Sequence, residues 1–491
     1  MITGYSAETI RRAEATLPDL LESGELMSRA ARGVARLTSG RMRDRGFRRV
    51  AGLIGPGNNG ADTLYALARL ARRGFEATAV CVDPDATPTT TAAAERARSR
   101  GVRVLTGDGA EALTAITRAE VVLDGITGIG GRAGLPPFAR PWVDAIRDHT
   151  WVIAVDTPSG QPVDGGPVVA DAVFADETVT FGAPKAVHLL PSTEPACGIL
   201  TVLDIGLDLE GATPTVVRLT PDDVPYVWPV PSVEDDKYSR GVLGIIAGGD
   251  RYTGAAVLTT TAAVTAGAGM VRYLGPASAT DLVRAAVPEV VPGEGRVQAW
   301  CIGSGFDPEA SGDEADAQRA AAREALACDL PVLLDAGGLD LLEARRDAPT
   351  LLTPHAGECA RMLTRLRQRT TDLTRAEVEA DPIAHARMLA ELTGATVLLK
   401  GAVTHVVDAH GPVHVHDDAP AWLATAGSGD VLAGLVGTLL AAGLDPATAA
   451  SIGVLVHGQA GHRANPGGPV RALDVAHAIG PVVAALLTSP A

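Results

Sequence analysis

Residues 49–73, RVAGLIGPGNNGADTLYALARLARR, decide the architecture of the first half of the chain. Arg49–Ile54 reads as a strand, Gly55-Pro56-Gly57-Asn58-Asn59-Gly60 is a literal G-x-G-x-x-G turn, and Ala61–Arg73 reads as a helix. A glycine turn between strand and helix lets backbone approach a ligand closely and aims helix-start amides at an anion. Asp83 ends the next strand, Ala77–Val82, where a dinucleotide-binding domain carries its ribose-binding carboxylate. A purely structural turn explains the glycines as well. Asn58 and Asn59 are unusual in a dinucleotide loop, and their amides suit a ligand or ion read by oxygen atoms.

Outward from this unit the alternation continues. Ser6–Leu21 and Glu25–Thr38 carry helical periodicity, with Met27, Ala31, Val34 and Ala35 on one face. Val102–Leu105, Val121–Leu123 and Val152–Val155 are short apolar strands, so a parallel sheet covered on both faces is expected. Three strand ends carry Asn59, Asp124 and Ser159. In open α/β sheets the carboxyl ends of strands line the ligand crevice. These three are hard oxygen donors without thiol or imidazole, which suits a hard cation. Lys185 follows Gly182-Ala183-Pro184 on a restricted loop.

The 491 residues imply two or three domains. A net charge of −16 argues against duplex nucleic acid as a partner, though local amides can still hold a nucleotide phosphate. The longest charge-free apolar run, Val431–Leu444, is short of the roughly 20 residues of a membrane span. The start, MITGYSAETIRRAEATLPDL, has an amphipathic pattern rather than that of a secretory leader. Five cysteines with no CxxC spacing read as reduced thiols of a cytoplasmic protein. Gly211–Tyr238, rich in proline and charge, reads as a linker or strand-like arm.

The second half restarts with a strand at Gly241–Ala247 and repeats the α/β theme at Trp300–Ile302, Val332–Leu334 and Val397–Leu399. Its most informative segment, ATAGSGDVLAG (424–434), is a small-residue loop entering an apolar helix. Amides of Gly427, Ser428 and Gly429 could hold a transferring phosphoryl group while Asp430 accepts a hydroxyl proton, or Asp430 could be an ordinary cap. Lys400, in Leu398-Leu399-Lys400-Gly401-Ala402-Val403-Thr404, could meet phosphate; His355 and Glu358 could face a cleft; Asp335 and Gly303-Ser304-Gly305 end strands.

Taken in order, GPGNNGADTL, VLDGITGIGG, VDTPSG and TVTFGAPK make residues 1–215 resemble the NAD(P)H-hydrate epimerase domain. YTGAA, AGAGM, TPHAGE, LLKGAVT and TAGSGDVLAG make residues 225–491 resemble the ADP-dependent NAD(P)H-hydrate dehydratase of the ribokinase-like superfamily. The resemblance implies an α/β chain of two domains, a Rossmann-like three-layer αβα domain followed by a ribokinase-like αβα domain. It implies K+ at Asn59, Asp124 and Ser159. It implies contact with the hydrated cofactor at Asn58, Asn59, Gly60, Ala61 and Asp62, at Gly128, Ile129, Gly130, Gly131, Arg132, Ala133 and Gly134, and at Asp156, which it makes catalytic. In the second domain it implies hydrate contacts at Ala255, Gly305, His355 and Asp430, the last as base. Nucleotide would lie on Lys400, Gly401, Ala402, Val403 and Thr404 and on the loop from Pro420 to Gly429, with Mg2+ accompanying ADP or ATP. The implied partners are small molecules, with no membrane or nucleic acid, in a homo-oligomer.

The family's NNGGDG reads Asn58-Asn59-Gly60-Ala61-Asp62-Thr63 here, and Ala61 is expected to crowd the substrate or demand another backbone angle. Asp236-Lys237 replaces a His-Lys opening, and Gly303-Ser304-Gly305-Phe306 replaces GPGLG. Two alternatives stay open: a first domain that binds without catalysing, and a Rossmann oxidoreductase fused to a sugar kinase.

Overall fold

The computed structural model describes residues 1–367 and 372–488. The chain divides into two compact units, Thr3–Val216 and Val217 onward, with Met1–Ile2 counted in the second. Val224 and Trp228, inside the proline-rich stretch expected as linker, are buried in the second unit's core.

After a short strand β1 (Ile2–Gly4), the first unit's strands are β2 (Arg49–Ile54), β3 (Glu76–Cys81), β4 (Arg103–Thr106), β5 (Val121–Gly125), β6 (Trp151–Val155), β7 (Glu177–Phe181) and β8 (Ile199–Leu203). They form one sheet in the order β4-β3-β2-β5-β6-β7-β8, and every pairing is parallel. β5 is buried along its whole length and β2 beyond its first residue, which is why both read as plain apolar runs. The order reverses between β2 and β5, the switch point at which such sheets bind ligands. Helix Asn58–Ala71 starts three residues before the expected one, so Asn58, Asn59 and Gly60 form its first turn. Ser6–Leu21 is two helices, Ala7–Ala15 and Pro18–Glu22, because Pro18 suits a helix start and not an interior.

The second unit contains β9 (Val216–Arg218), β10 (Val242–Ile246), β11 (Met270–Leu274), β12 (Val291–Pro292), β13 (Ala299–Ile302), β14 (Val332–Leu334), β15 (Thr350–Leu352), β16 (Thr396–Leu399), β17 (Thr404–Val407) and β18 (Val413–His416). From β9 the order is β9-β18-β17-β16-β15-β14-β13-β10-β11-β12. The pairings from β12 to β16 are parallel, whereas β17 and β18 add antiparallel strands. Here the switch point lies between β10 and β13.

The apolar run at 431–444 belongs largely to helix Ser428–Ala441, which is almost wholly buried. No described helix is long and apolar enough to cross a membrane. This helix packs on helix Thr253–Thr265 so closely that a Cβ on Gly434 would lie 2.1 Å from the Thr259 carbonyl oxygen. Gly434→Ala should therefore destabilise the second unit by about 1–3 kcal/mol in chemical unfolding, although alanine ordinarily gains about 1 kcal/mol over glycine inside a helix.

Candidate active sites

At the first switch point, the loops after β2 and β5 touch. A Cβ on Gly55 would stand 1.9 Å from the Ile126 carbonyl oxygen, and one on Gly60 would stand 2.1 Å from the Gly55 carbonyl oxygen. Only glycine permits that approach. Beside it lies a cavity of about 590 Å3, walled by Asn58, Asn59, Asp62, Thr127, Gly128, Ile129, Gly130, Gly131, Asp156, Phe181 and Lys185, and by Ile10, Arg11 and Glu14 of the N-terminal helix.

The charge of this cavity is organised around Asp156. Its backbone sits at φ +69°, a left-handed conformation that costs a non-glycine residue energy and concentrates at functional sites. Four bonds hold it there, one of them from the Thr180 hydroxyl to Oδ1 at 3.1 Å. The Asp156 N–H donates to the Val179 carbonyl at 2.7 Å, its carbonyl bonds His188 Nε2 at 2.9 Å, and its Oδ1 receives the Lys185 ammonium at 2.7 Å. Lys185 Nζ also donates to Thr180 Oγ1 at 2.8 Å and the Phe181 carbonyl at 3.0 Å, so all three of its protons are placed. Because the Lys185 amide donates to His188 Nδ1 at 2.9 Å, the proton of the neutral ring is on Nε2 and points at the Asp156 carbonyl. Burial, reinforced by Lys185, pushes His188 down to about 3 and keeps it neutral. Burial alone would raise the Asp156 carboxyl, but Lys185 and Thr180 outweigh it and hold it below the usual carboxylate range.

Asp62 is the opposite case. Its carboxyl is buried, Oδ1 has no hydrogen-bond partner, and burial with the nearby Asp156 and Glu14 charges pushes it well above its ordinary value. Glu14 is raised by burial and by Asp156, against Lys185 and Arg11. Arg11 Nη2 donates to the Ile129 carbonyl at 2.7 Å and ties the N-terminal helix to the glycine loop.

The oxygen donors Asn59, Asp124 and Ser159 do come together. Ser159 bonds Asp124 through both its hydroxyl, at 2.6 Å, and its amide, at 2.8 Å. The Thr127 amide donates to Ser159 Oγ at 2.9 Å, and Asn59 Nδ2 donates to the Thr127 carbonyl at 2.9 Å. Burial pushes Asp124 up to about 6, against the bonds from Ser159. One buried carboxylate among neutral oxygens suits a monovalent cation, and no group of three His, Cys, Asp or Glu placed to hold a metal ion exists among the described residues.

The expectation for Ala61 needs correction. Ala61 does not crowd the cavity: it is helical, fully buried and part of the hydrophobic core. Thr63 packs over the backbone of Gly125, where a Cβ would be 2.1 Å from its Oγ1, so the two departures from the family loop face inward. Gly60 shapes the turn without lining the cavity, and Arg132, Ala133 and Gly134 lie outside its wall. Glu14 was missed although the pattern held the clue. It follows Ile10 by four residues, on the stripe that Ile10 buries.

At the second switch point, successive strand ends deliver Ser304 (after β13), Asp335 (β14), Thr353 (β15) and Lys400 (β16). Asp335 collects them: Lys400 Nζ bonds Oδ1 at 2.6 Å, Thr353 Oγ1 bonds the same oxygen at 2.7 Å, and Ser304 Oγ lies 3.3 Å from Oδ2. Lys400 is thus already paired with Asp335. Burial lowers its affinity for a proton, but Asp335, Glu358 and Asp430 reverse the effect. Asp430 opens helix Ser428–Ala441 beside this pair, and burial and Asp335 raise it to about 6, against Lys400 and Ser304. A Cβ on Gly429 would stand 3.5 Å from Lys400 Nζ. The Ser428 amide is engaged by the Thr425 carbonyl at 3.3 Å, whereas those of Gly429 and Asp430 have no acceptor among the described residues.

Ala255 and Gly305 meet directly, with Gly305 at φ +67° and a Cβ there 2.6 Å from that of Ala255. His355 caps helix Ala356–Leu366, its Nδ1 accepting from Gly357 and Glu358, and so does structural work. It also adjoins Lys400 through a parallel bridge. Gly401 and Ala402 are exposed on the turn into β17, Val403 is half-buried there, and Thr404 starts that strand.

The Asp156–Lys185 pair yields a stability prediction. Lys185→Met strands a buried carboxylate and should cost about 3–5 kcal/mol in the first unit, whereas adding Asp156→Asn to it should restore much of the loss. Chemical unfolding of both variants checks this.

Comparison with known proteins shows the same division. The family described as YjeF-related protein N-terminus matches residues 23–187, and NAD(P)H-hydrate dehydratase matches residues 243–478. The bifunctional NAD(P)H-hydrate repair enzyme Nnr of Mycobacterium tuberculosis is 43% identical over 464 residues, covering 91% of each chain. Its namesake in Escherichia coli is 30% identical, covering 93% of this chain and 89% of the relative. Among solved structures, an ADP/ATP-dependent NAD(P)H-hydrate dehydratase from Bacillus subtilis, co-crystallised with ATP and Mg2+, aligns at 24% identity and TM-score 0.47, over 56% of this chain and 99% of that one. With two ordered sites on two units and relatives of this identity along nearly its full length, the chain belongs to the family of bifunctional NAD(P)H-hydrate repair enzymes.

Proposed function

We propose that this chain repairs hydrated NADH and NADPH in two steps. The first unit interconverts the R and S epimers at C6 of the hydrated nicotinamide ring. The second phosphorylates the C6 hydroxyl of the S form, and loss of phosphate restores the ring double bond. Hydroxide is a poor leaving group and phosphate a good one, which gives a kinase-like fold a reason to serve a dehydration.

The observation that carries this reading is the placement of Asp430. It stands at the start of a buried helix with unpaired amides at Gly429 and Asp430 and the Lys400–Asp335 pair alongside. In the proposed step Asp430 removes the hydroxyl proton while those amides stabilise the transferring phosphoryl group. Mg2+ with ADP or ATP would supply charge neutralisation there. In the first unit, Asn59, Asp124, Ser159 and the Thr127 carbonyl have the chemistry to hold K+, which would supply a fixed positive charge beside the substrate. Asn58, Gly128 and Asp156 would orient the hydrate, Asp156 as an ionised carboxylate kept so by Lys185.

The test is recovery of absorbance at 340 nm from mixed R and S hydrates with Mg2+ and ADP or ATP. Wild type should recover the whole pool. Asp156→Asn should stop near the S fraction, and Asp430→Asn should recover none. No recovery by wild type with either nucleotide overturns the reading.

The acid limb of the dehydration rate should fall below pH about 6, tenfold per unit, because the base must be ionised. The same shift predicts stability. A carboxyl whose folded pKa lies above its ordinary 3.8 stabilises the fold when protonated, and that contribution is lost as pH rises through about 6. Asp430→Asn should therefore raise the Tm of the second unit at pH 7.5, and the gain should vanish near pH 4.

A further inference from the structure

The N-terminal helix Ala7–Ala15 lies outside the matched span 23–187, yet it supplies Ile10, Arg11 and Glu14 to the wall of the first cavity. Glu14 faces a cluster in which Asp62 is the unusual member: more than nine-tenths buried, on the cavity wall, with Oδ1 unpartnered. A buried acceptor without a donor either holds its own proton or meets a donor on a ligand. The charged groups around the two carboxyls are Asp156, already paired with Lys185, and Arg11, which bonds the Ile129 carbonyl. Neither cation bonds Asp62 or Glu14.

We propose that Glu14 and Asp62 form a proton-sharing carboxyl pair that protonates the departing C6 hydroxyl and recovers the proton from the returning water during epimerisation. The step rests on the epimerase reading above. The C6–O bond breaks with its electron pair going to oxygen, the carboxyl proton completes a water molecule, and the lone pair on the ring nitrogen forms an N1=C6 iminium. Water then adds to the other face of the planar carbon, and its surplus proton returns to the carboxylate. Nothing is oxidised or reduced. Lys185 holds the Asp156 carboxyl below its ordinary range, so the cavity has one ionised carboxylate to face the cationic ring and one protonated pair to act on the hydroxyl. Burial and the Asp156 charge raise both Glu14 and Asp62, and the Glu14 charge raises Asp62 further, which favours this division.

The experiment tracks purified R-hydrate of NADH on the full-length protein without nucleotide, so that only epimer exchange proceeds, with the epimers separated by chromatography in H2(18)O. Wild type should exchange the epimers faster than buffer and place one 18O at C6 per inversion. Glu14→Gln and Asp62→Asn should each slow exchange by about 100-fold or more with KM little changed. The double variant should be no slower than the worse single one, and Glu14→Asp should recover part of the rate. Thermal unfolding of each variant confirms a folded first unit, and Glu14→Gln, on a partly exposed wall, keeps the test available if Asp62→Asn does not fold. Wild-type rates in Glu14→Gln, or inversion without label, would overturn the pair while leaving the epimerase in place. Failure of wild type to exchange epimers at all would overturn both.

Discussion

The close approach of backbone to backbone at each switch point is the constraint on which the rest depends. Gly55 lies against the Ile126 carbonyl in the first unit, and Gly303, at φ +122°, lies against the Asp335 carbonyl in the second, where a Cβ would be 1.9 Å away in both cases. The first contact joins the loops on either side of the sheet reversal, after β2 and β5, and the second joins the loops after the adjacent strands β13 and β14, beside the reversal. The polar residues just after each glycine, Asn58 and Asn59 in one unit and Ser304 in the other, are thereby fixed beside the neighbouring strand end. A single methyl group at either position would part the loops and the chemistry with them.

Both units then treat charge alike. Each places a lysine against an aspartate at a strand end, Lys185 on Asp156 and Lys400 on Asp335, and leaves a second carboxyl, Asp62 or Asp430, raised nearby. Each also forces a non-glycine residue into the left-handed region, Asp156 itself and Ala336 directly after Asp335. Burying an ion pair is seldom a route to stability. In the first unit its use is to hold Asp156 below the usual carboxylate range, which a solvated pair would not do.

The two-unit α/β architecture was legible because buried parallel strands are apolar runs and their punctuating glycines are local. The oxygen triad Asn59, Asp124 and Ser159 was legible for the same reason: each member ends a strand, and topology brings strand ends together. Ala61 misled because a turn was expected where the first helical turn begins, which reversed the direction its side chain faces. The pairing of Lys400 with Asp335 joins residues 65 apart, and that of Lys185 with Asp156 joins residues 29 apart. Such distances are set by sheet register, which no local pattern records. The same holds for Glu14, whose helix had a readable face but no readable neighbour.

The cysteines carry a last consequence. Cys81, Cys197, Cys301 and Cys359 are buried, and burial raises each thiol, to about 12 in Cys81, Cys197 and Cys359, so none offers a thiolate at neutral pH. Cys328 alone is half-buried. The two units hold different sulfurs, Cys81 and Cys197 in the first and Cys301, Cys328 and Cys359 in the second. Alkylation is thereby a clock for each unit separately: the order in which the four covered sulfurs take up a reagent reports which half of the molecule opens first.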